Sequence, residues 1–257
     1  KDCAYGAGMV YDKYLDDPKN ARGWYKTGYE MGSAESAYGL GTMSQDRDKD
    51  YPKAIEWYEK AYKMGDTSSA RALGLLYKQE LQDYNNSLKW FKIAHDQGDK
   101  DAAYSLGLLY DDILKDYPKA IKWYEIAHNQ GDKKAANDLG LLYDETLKDY
   151  PKAIKWYEVS YNMGNKYAAH NLGLLYKEGY KNYPKAIEWF QLSFDKHKYY
   201  ASLYWIATMY RDGLGVKKDL IKARSLFEQI VDKVNPDWEI YKDSKQALAA
   251  IDANQSK

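Results

Sequence analysis

The chain has four histidines and several closely spaced carboxylates, the groups that could transfer protons or hold a cation. Two of the histidines, His95 and His128, are separated by an interval that recurs along the chain. Continuing in the same steps in both directions gives only planar rings, namely Tyr29, Tyr62, Tyr161 and Phe194. Because a ring recurs at this position whatever its chemistry, both histidines are predicted to pack against neighbours rather than act as an acid and a base.

Three aspartates, Asp46, Asp48 and Asp50, resemble the start of a calcium-binding loop. The pattern then fails, because Tyr51 stands where such a loop requires glycine and Trp57 where it requires a bidentate glutamate. These carboxylates are therefore predicted to lie in an ordinary solvated turn.

Two pairs of adjacent acids, Asp111-Asp112 and Asp144-Glu145, have the residue types of a general acid and a base. They are separated by the same interval as the two histidines and are interpreted as the solvated ends of equivalent helices. Hydrolysis at a carboxylate near His170 is the least favoured hypothesis. We expect a protein that is not an enzyme and that uses no metal and no cofactor.

This interval governs the whole chain. A glycine recurs at Gly8, Gly41, Gly74, Gly107, Gly140 and Gly173, and a tryptophan at Trp24, Trp57, Trp90, Trp123, Trp156 and Trp189. Self-similarity with a period of about 33 residues is typical of a solenoid, in which one helical unit stacks on the next. The predicted fold is all-α, a right-handed α-solenoid of about seven helix-turn-helix units with a C-terminal capping helix.

Each unit contains two amphipathic helices. In residues 101–133 the first apolar stripe includes Ala103, Leu106 and Gly107, at the spacing of one helix face. A second helix is predicted to begin at Pro118, because proline suits the first helical turn. Gly131 is predicted to end it in the left-handed conformation. Glycine within the first helix indicates a close approach of the neighbouring helix.

These patterns place all of residues 1–257 in one solenoid domain. The predicted units are 1–33, 34–66, 67–99, 100–132, 133–165, 166–198 and 199–235. The segment 238–253 is predicted to be an amphipathic helix that covers the apolar face of the last unit.

The recurring segments Leu-Gly-x-Leu-Tyr and Lys-Ala-x-x-Trp-Tyr resemble Sel1-like repeats, which are related to tetratricopeptide repeats. The match is best in the seventh unit, MYRDGLGVKKDLIKARSLF, whereas the first six have a shorter turn between their helices. The resemblance implies a helical solenoid that binds proteins. In bacteria such relatives include adaptors, exported proteins and inhibitors paired with toxic effectors.

Composition excludes several other classes of function. Lysine plus arginine and aspartate plus glutamate number 38 each, so zero net charge does not favour nucleic acid or an anionic membrane as partner. No apolar run has the roughly 18 residues that a membrane span needs. Cys3 is the only cysteine, and the chain starts at Lys1. The compartment stays open between periplasmic or secreted, after removal of a leader, and cytoplasmic.

One stripe of each first helix remains after the core positions are removed. We expect it to line a concave groove that binds another protein or an extended peptide, through tyrosine and arginine as affinity-determining residues and leucine as an apolar floor. An alternative is a bacterial immunity protein that occludes a cognate toxin. The predicted groove residues are Tyr5, Tyr38, Arg71, Leu75, Tyr104, Leu108, Asn137, Leu141, His170, Leu174 and Tyr204.

Overall fold

The computed structural model describes residues 2–255, which form fifteen α-helices and no strand, so the all-α prediction is confirmed. The helices are α1 (Asp2–Lys13), α2 (Pro18–Glu30), α3 (Ala34–Asp46), α4 (Tyr51–Lys63), α5 (Ser68–Gln79), α6 (Tyr84–Asp96), α7 (Ala102–Leu108), α8 (Tyr117–Asn129), α9 (Lys133–Leu141), α10 (Tyr150–Asn162), α11 (Ala168–Leu174), α12 (Tyr183–His197), α13 (Tyr200–Asp212), α14 (Leu220–Lys233) and α15 (Glu239–Gln255).

The chain divides into two compact units, Lys1–Gln130 and Gly131–Lys257. Unit 1 contains four helix pairs, α1 to α8, and unit 2 contains three pairs followed by α15. Within each unit every helix packs on the next one along the chain. Each pair corresponds to one predicted repeat, and in the first six pairs the first helix contains the repeat glycine and the second the repeat tryptophan.

The second helices begin with the same cap. The Asp116 carboxylate accepts a hydrogen bond from the Lys119 backbone N–H, and Pro118 lies in the first turn of α8. Such a cap typically stabilises a helix by about 1 kcal/mol. Gly131 has a φ of +95°, as predicted for a left-handed helix end, and the Asp132 carboxylate then caps α9.

The short turn within the first six repeats is closed by a residue in the left-handed region that is not glycine. Lys115 has a φ of +53°, and the next residue, Asp116, donates its backbone N–H to the Tyr110 carbonyl at 2.9 Å. In three repeats the end of the first helix widens into a π-helical turn, which leads into this short turn between the helices. The π-helical turns are Leu109–Ile113, Leu142–Thr146 and Leu175–Gly179. The seventh repeat uses Gly213 and Gly215 instead.

The glycines of the first helices lie directly against an aromatic ring of the second helix. A Cβ built on Gly107 would lie 2.4 Å from Cδ1 of Tyr124, a ring that is only 1 % exposed. The same contact joins Gly8 to Tyr25, Gly41 to Tyr58, Gly74 to Phe91, Gly140 to Tyr157 and Gly173 to Phe190. The predicted close approach of the two helices is therefore confirmed.

The His95 ring, like the rings at the equivalent position of other repeats, packs edge-to-face on the tryptophan in the second helix of the next repeat. The centroids of His95 and Trp123 are 5.1 Å apart at an interplanar angle of 87°. The pairs Tyr29–Trp57, Tyr62–Trp90 and Tyr161–Trp189 have the same geometry. The packing role predicted for His95 is confirmed.

The C-terminal helix covers the last repeat as predicted. Ala247 and Ile251 of α15 are buried in one cluster with Phe227 and Ile230 of α14. The helix spans Glu239–Gln255, so it starts one residue later and ends two residues later than expected. None of the helices in the described part of the chain has the length and apolar character that a membrane crossing needs.

We expect Gly107→Ala to destabilise the protein by about 1–3 kcal/mol, because the new methyl group must displace the buried Tyr124 ring. Gly23→Ala is the matched control, since Gly23 lies within α2 with no atom near its Cβ position. That control should stabilise the protein by about 0.5–1 kcal/mol, the usual gain of alanine over glycine in a helix. Urea unfolding measures both changes. Equal stability of the two variants would contradict the glycine–ring contact.

Candidate partner-binding surface

The predicted groove residues of unit 1 lie on its first helices and are all partly buried. The rings of Tyr5 and Tyr38 pack on the second-helix rings of Tyr25 and Tyr58, with centroids 6.0 and 5.4 Å apart. Tyr104 packs on Tyr124 in the same way, at 6.0 Å. Each tyrosine therefore presents one face to the neighbouring helix and keeps another part of its surface accessible.

Three of these residues, Tyr38, Arg71 and Leu75, line one recess of about 180 Å³ between α3 and α5. Its wall also includes Gln45 and Tyr58, whose hydroxyl donates to Gln45 Oε1 at 2.9 Å. Burial raises the pKa of Tyr38, with the charge of Asp66 adding to the effect, so its hydroxyl stays protonated at neutral pH. The structure thus brings an aromatic ring, a guanidinium and an apolar side chain to one concavity of unit 1.

Arg71 is anchored by carboxylates from the following turn. Its Nε donates to Asp99 Oδ2 at 2.9 Å, and its Nη1 lies 3.8 Å from Asp101 Oδ2. The Arg71 side chain is 36 % exposed. Removal of the Arg71 side chain would leave the Asp99 carboxylate without this partner.

In unit 2 two of the predicted residues are buried rather than displayed. Asn137 is 7 % exposed and His170 is 9 % exposed, whereas Leu141, Leu174 and Tyr204 are partly buried. The Asn137 side chain accepts a hydrogen bond from Asn171 Nδ2 at 3.0 Å, so an amide pair links α9 and α11. The expectation of an accessible side chain is corrected for Asn137 and His170.

His170 is covered by the helices that follow it in the chain. Its ring packs edge-to-face on Tyr199, with centroids 4.9 Å apart, and lies 5.5 Å from Phe190. Its Nδ1 is 2.8 Å from Ser202 Oγ, and Ser202 donates to Ser193 Oγ at 2.9 Å. His170, Ser202 and Ser193 therefore form one continuous chain of hydrogen-bonded side chains.

This environment favours the neutral form of His170. Desolvation by burial lowers its pKa from 6.5 to about 4. Ser193 and Ser202 are both fully buried, so no substrate reaches the pair. The arrangement is a structural hydrogen-bond chain, and the hydrolytic hypothesis near His170 gains no support from it.

The two acid pairs are not fully solvated, which corrects their interpretation. Asp111 and Asp144 are partly buried and accept hydrogen bonds from the Tyr124 and Tyr157 hydroxyls at 3.3 and 3.4 Å. Burial raises the pKa of both carboxyls, with smaller contributions from the adjacent Asp112 and Glu145 charges. The raised pKa values arise from burial of the two carboxyls, whereas their hydrogen bonds from the tyrosines act in the opposite direction.

A sequence signal for these pairs exists and was missed. In the first six repeats the twelfth position is an acceptor when the second-helix ring against the repeat glycine is tyrosine, and lysine when that ring is phenylalanine. The pairs are Asp12–Tyr25, Gln45–Tyr58, Lys78–Phe91, Asp111–Tyr124, Asp144–Tyr157 and Lys177–Phe190. The repeat sequences therefore indicate that the second-helix tyrosine hydroxyl requires a hydrogen-bond acceptor.

Two of the aspartates that resemble a calcium loop already accept hydrogen bonds from other groups of the protein. Asp48 accepts two hydrogen bonds from Arg22 Nη2 at 2.8–2.9 Å, and Asp50 caps α4 through the Lys53 backbone N–H. Among the described residues, no group of three or more histidine, cysteine, aspartate or glutamate side chains is arranged to hold a metal ion.

The sequence profile of the Sel1 repeat matches residues 3–33, 34–66, 67–99, 100–132, 133–165, 166–197 and 201–233. No curated protein matches the sequence.

Solved structures with the same fold are known from several bacteria. The Sel1 repeat protein of Oxalobacter formigenes is 22 % identical, with a TM-score of 0.65 over 95 % of this chain and 75 % of that one. The protective antigen c5321 of uropathogenic Escherichia coli is 22 % identical, with a TM-score of 0.64 over 98 % of this chain. This chain covers 56 % of the length of c5321.

A third match is the C-terminal part of a tetratricopeptide repeat-containing protein from Cytophaga hutchinsonii. It is 15 % identical, with a TM-score of 0.64 over 94 % of this chain and 98 % of that one. At this level of identity the three structures establish a shared fold.

The tyrosine–acceptor pairing predicts a compensating double substitution. Tyr157→Phe should cost about 1–2 kcal/mol, because it leaves the partly buried Asp144 carboxylate without its donor. Adding Asp144→Lys reproduces the local sequence of the sixth repeat, where Lys177 pairs with Glu178, and should recover at least half of that loss. Urea unfolding of the two single variants and the double variant gives the coupling. A double variant less stable than Tyr157→Phe alone would contradict the pairing.

The His170 environment predicts a loss of stability in acid. Because the folded state holds its pKa at about 4 rather than 6.5, the neutral form stabilises the fold above pH 6.5. This stabilisation is lost as the pH falls toward 4, by up to about 3 kcal/mol. His170→Gln should show a shallower decline of the free energy of unfolding over that range. If the free energy of unfolding depends on pH in the same way in the variant and the native chain, the predicted role of His170 is wrong.

Proposed function

This chain belongs to the Sel1 repeat family, and we propose that it is a non-enzymatic scaffold that binds another protein, or an extended peptide, on the face formed by its first helices. The observation that carries the proposal is the recess of unit 1, where Tyr38, Arg71 and Leu75 converge. Leu141, Leu174 and Tyr204 are proposed to contribute to binding on the corresponding face of unit 2.

The chemistry of the recess suits a protein partner. Tyrosine and arginine are enriched among residues that dominate binding energies, and Leu75 adds an apolar floor. A volume of about 180 Å³ accommodates a partner side chain but not an ordinary small-molecule ligand, whose sites are typically about 300–1,000 Å³. The recess is therefore suited to one anchoring residue of a larger partner.

The anchoring of Arg71 favours binding further. Asp99 engages its Nε, and a guanidinium has five N–H donors, so donors on its Nη atoms remain for a partner carboxylate or carbonyl. A side chain already held in position loses less conformational entropy on binding. Arg71 is proposed to supply orientation as well as charge.

The proposal excludes catalysis because the candidate catalytic groups have structural roles. His170 is hydrogen-bonded to a buried serine, and Asp111 and Asp144 each accept from a tyrosine hydroxyl. Perturbed pKa values often mark active sites, but ion pairs and packing also produce them. Burial within the packed helices explains the shifted pKa values of Asp111, Asp144 and His170.

We expect peptides selected from a displayed random library on the purified chain to lose affinity when the recess is altered. Arg71→Ala with Leu75→Ala should weaken the selected peptides by about 2 kcal/mol or more, measured by isothermal titration calorimetry. Lys92→Ala with Lys122→Ala is the control, since both lysines are exposed on second helices of unit 1. It should leave binding unchanged.

A thermal melt of each variant separates loss of binding from loss of folding. The partly exposed Arg71–Asp99 ion pair should contribute no more than about 1 kcal/mol, so the recess variant should remain folded at the binding temperature. A folded recess variant that binds the peptides at full strength would refute the proposed surface. If the chain binds the product of the neighbouring gene with a nanomolar or lower Kd, and binds no other partner, the same face has an inhibitor role.

A further inference from the structure

The turn between the helices of the seventh repeat differs from all the others. It contains Gly213 and Gly215, both in the left-handed region, and it continues through Lys217 and Lys218. A Cβ built on Gly215 would lie 2.5 Å from Cβ of Tyr183, at the start of α12. The turn is therefore seated on the preceding repeat, which fixes where its lysines project.

Ile221 follows this turn in a position that folding does not explain. It lies two residues after the cap Asp219, where four of the earlier repeats have proline, namely Pro52, Pro118, Pro151 and Pro184. Proline suits this helical turn, whereas a branched residue restricts its own side chain there. Ile221 is 79 % exposed, so its side chain gains almost no burial in return.

Ile221 and three lysines surround one recess of about 500 Å³ at the start of α14. The lysines are Lys217, Lys218 and Lys222, and the only acid of the lining is Asp219. The Asp219 carboxylate accepts the Lys222 backbone N–H at 2.9 Å. Formal charges give the lining a net +2, from three lysines and one aspartate, in a chain whose net charge is zero.

Lys222 is held in place within this recess. Its Nζ donates to the Tyr210 hydroxyl at 2.6 Å and lies 4.1 Å from the centroid of the Tyr210 ring. An ammonium group that is already ordered loses less conformational entropy when it pairs with a carboxylate. The recess therefore combines an ordered positive charge, two further lysines on a seated turn, and an exposed aliphatic side chain.

We propose that this recess of unit 2 docks an acidic segment of a partner protein, whose carboxylates pair with Lys217, Lys218 and Lys222 and whose aliphatic side chain contacts Ile221. Complementary charge would direct the encounter, and the apolar contact would add affinity. This surface is separate from the unit 1 recess, and its role does not depend on that proposal.

The chemistry of the recess favours a peptide over other anionic partners. Single-stranded nucleic acid is typically bound by stacking on aromatic rings and by arginine. The lining contains no arginine, and its one ring, Tyr210, already has the Lys222 Nζ 4.1 Å from its centroid. A lipid surface is bound by an extended apolar helix face rather than by one isoleucine beside a concavity. An acidic peptide with an aliphatic residue uses both the charge and Ile221.

Selection of a phage-displayed random dodecapeptide library on the full chain tests this docking site. We expect a class of peptides rich in aspartate and glutamate with at least one leucine, isoleucine or valine. Ile221→Pro restores the residue of the earlier repeats, so it should preserve stability while weakening these peptides at least tenfold in fluorescence anisotropy. Lys217→Glu with Lys218→Glu should abolish their binding.

Lys155→Glu with Lys245→Glu makes the same change of charge at two exposed positions of unit 2 and should leave affinity within about twofold at physiological salt, where distant surface charges are screened. The proposal is overturned if no acidic class is enriched, or if the acidic peptides bind the Ile221→Pro variant as tightly as the native chain. Phosphatidylserine vesicles or a single-stranded oligonucleotide binding with the same dependence on Ile221, in place of acidic peptides, would likewise overturn it.

Discussion

The contact between a first-helix glycine and a second-helix ring determines how each repeat is built. At Gly107 the Tyr124 ring occupies the space where any other residue would place its Cβ. Two helices can approach this closely only when one of them lacks a side chain at the crossing point. The crossing in turn fixes the rotation of the first helix, and therefore which of its positions face the neighbouring helix and which remain accessible.

Where the ring is tyrosine, the same contact also requires a hydrogen-bond acceptor for the hydroxyl, which explains the positions of Asp111 and Asp144. A tyrosine ring laid against the glycine carries its hydroxyl to the end of the first helix, where a buried hydroxyl needs a partner. Asp111, Asp144 and Gln45 supply the acceptor, and Lys78 and Lys177 appear where the ring is phenylalanine. Carboxylates with raised pKa values therefore follow from repeat packing, and they do not identify an active site.

Periodicity was sufficient to predict the fold because every repeat satisfies the same packing rules. The helix pairs, the second-helix start near Pro118, the left-handed Gly131 and the ring position of His95 all follow from residue types at fixed spacing. The π-helical turns did not, because all six of the first repeats close this turn with a left-handed residue other than glycine, whereas only three of them contain a π-helical turn. Two of the groove residues were assigned wrongly for a related reason: helical spacing places Asn137 and His170 on a face but does not show what covers it.

The covering groups come from residues that break the repeat. Ser202 and Tyr199 bury His170, and both follow the extended α12, at the start of the seventh repeat, which is shifted by one residue. Deviations of this kind fall into two classes. Some, such as the Lys–Phe pairs, are compensated within the fold, whereas Ile221 has no compensation, because it replaces a favourable proline and remains exposed. This exposed deviation is the observation on which the proposed docking site of unit 2 rests.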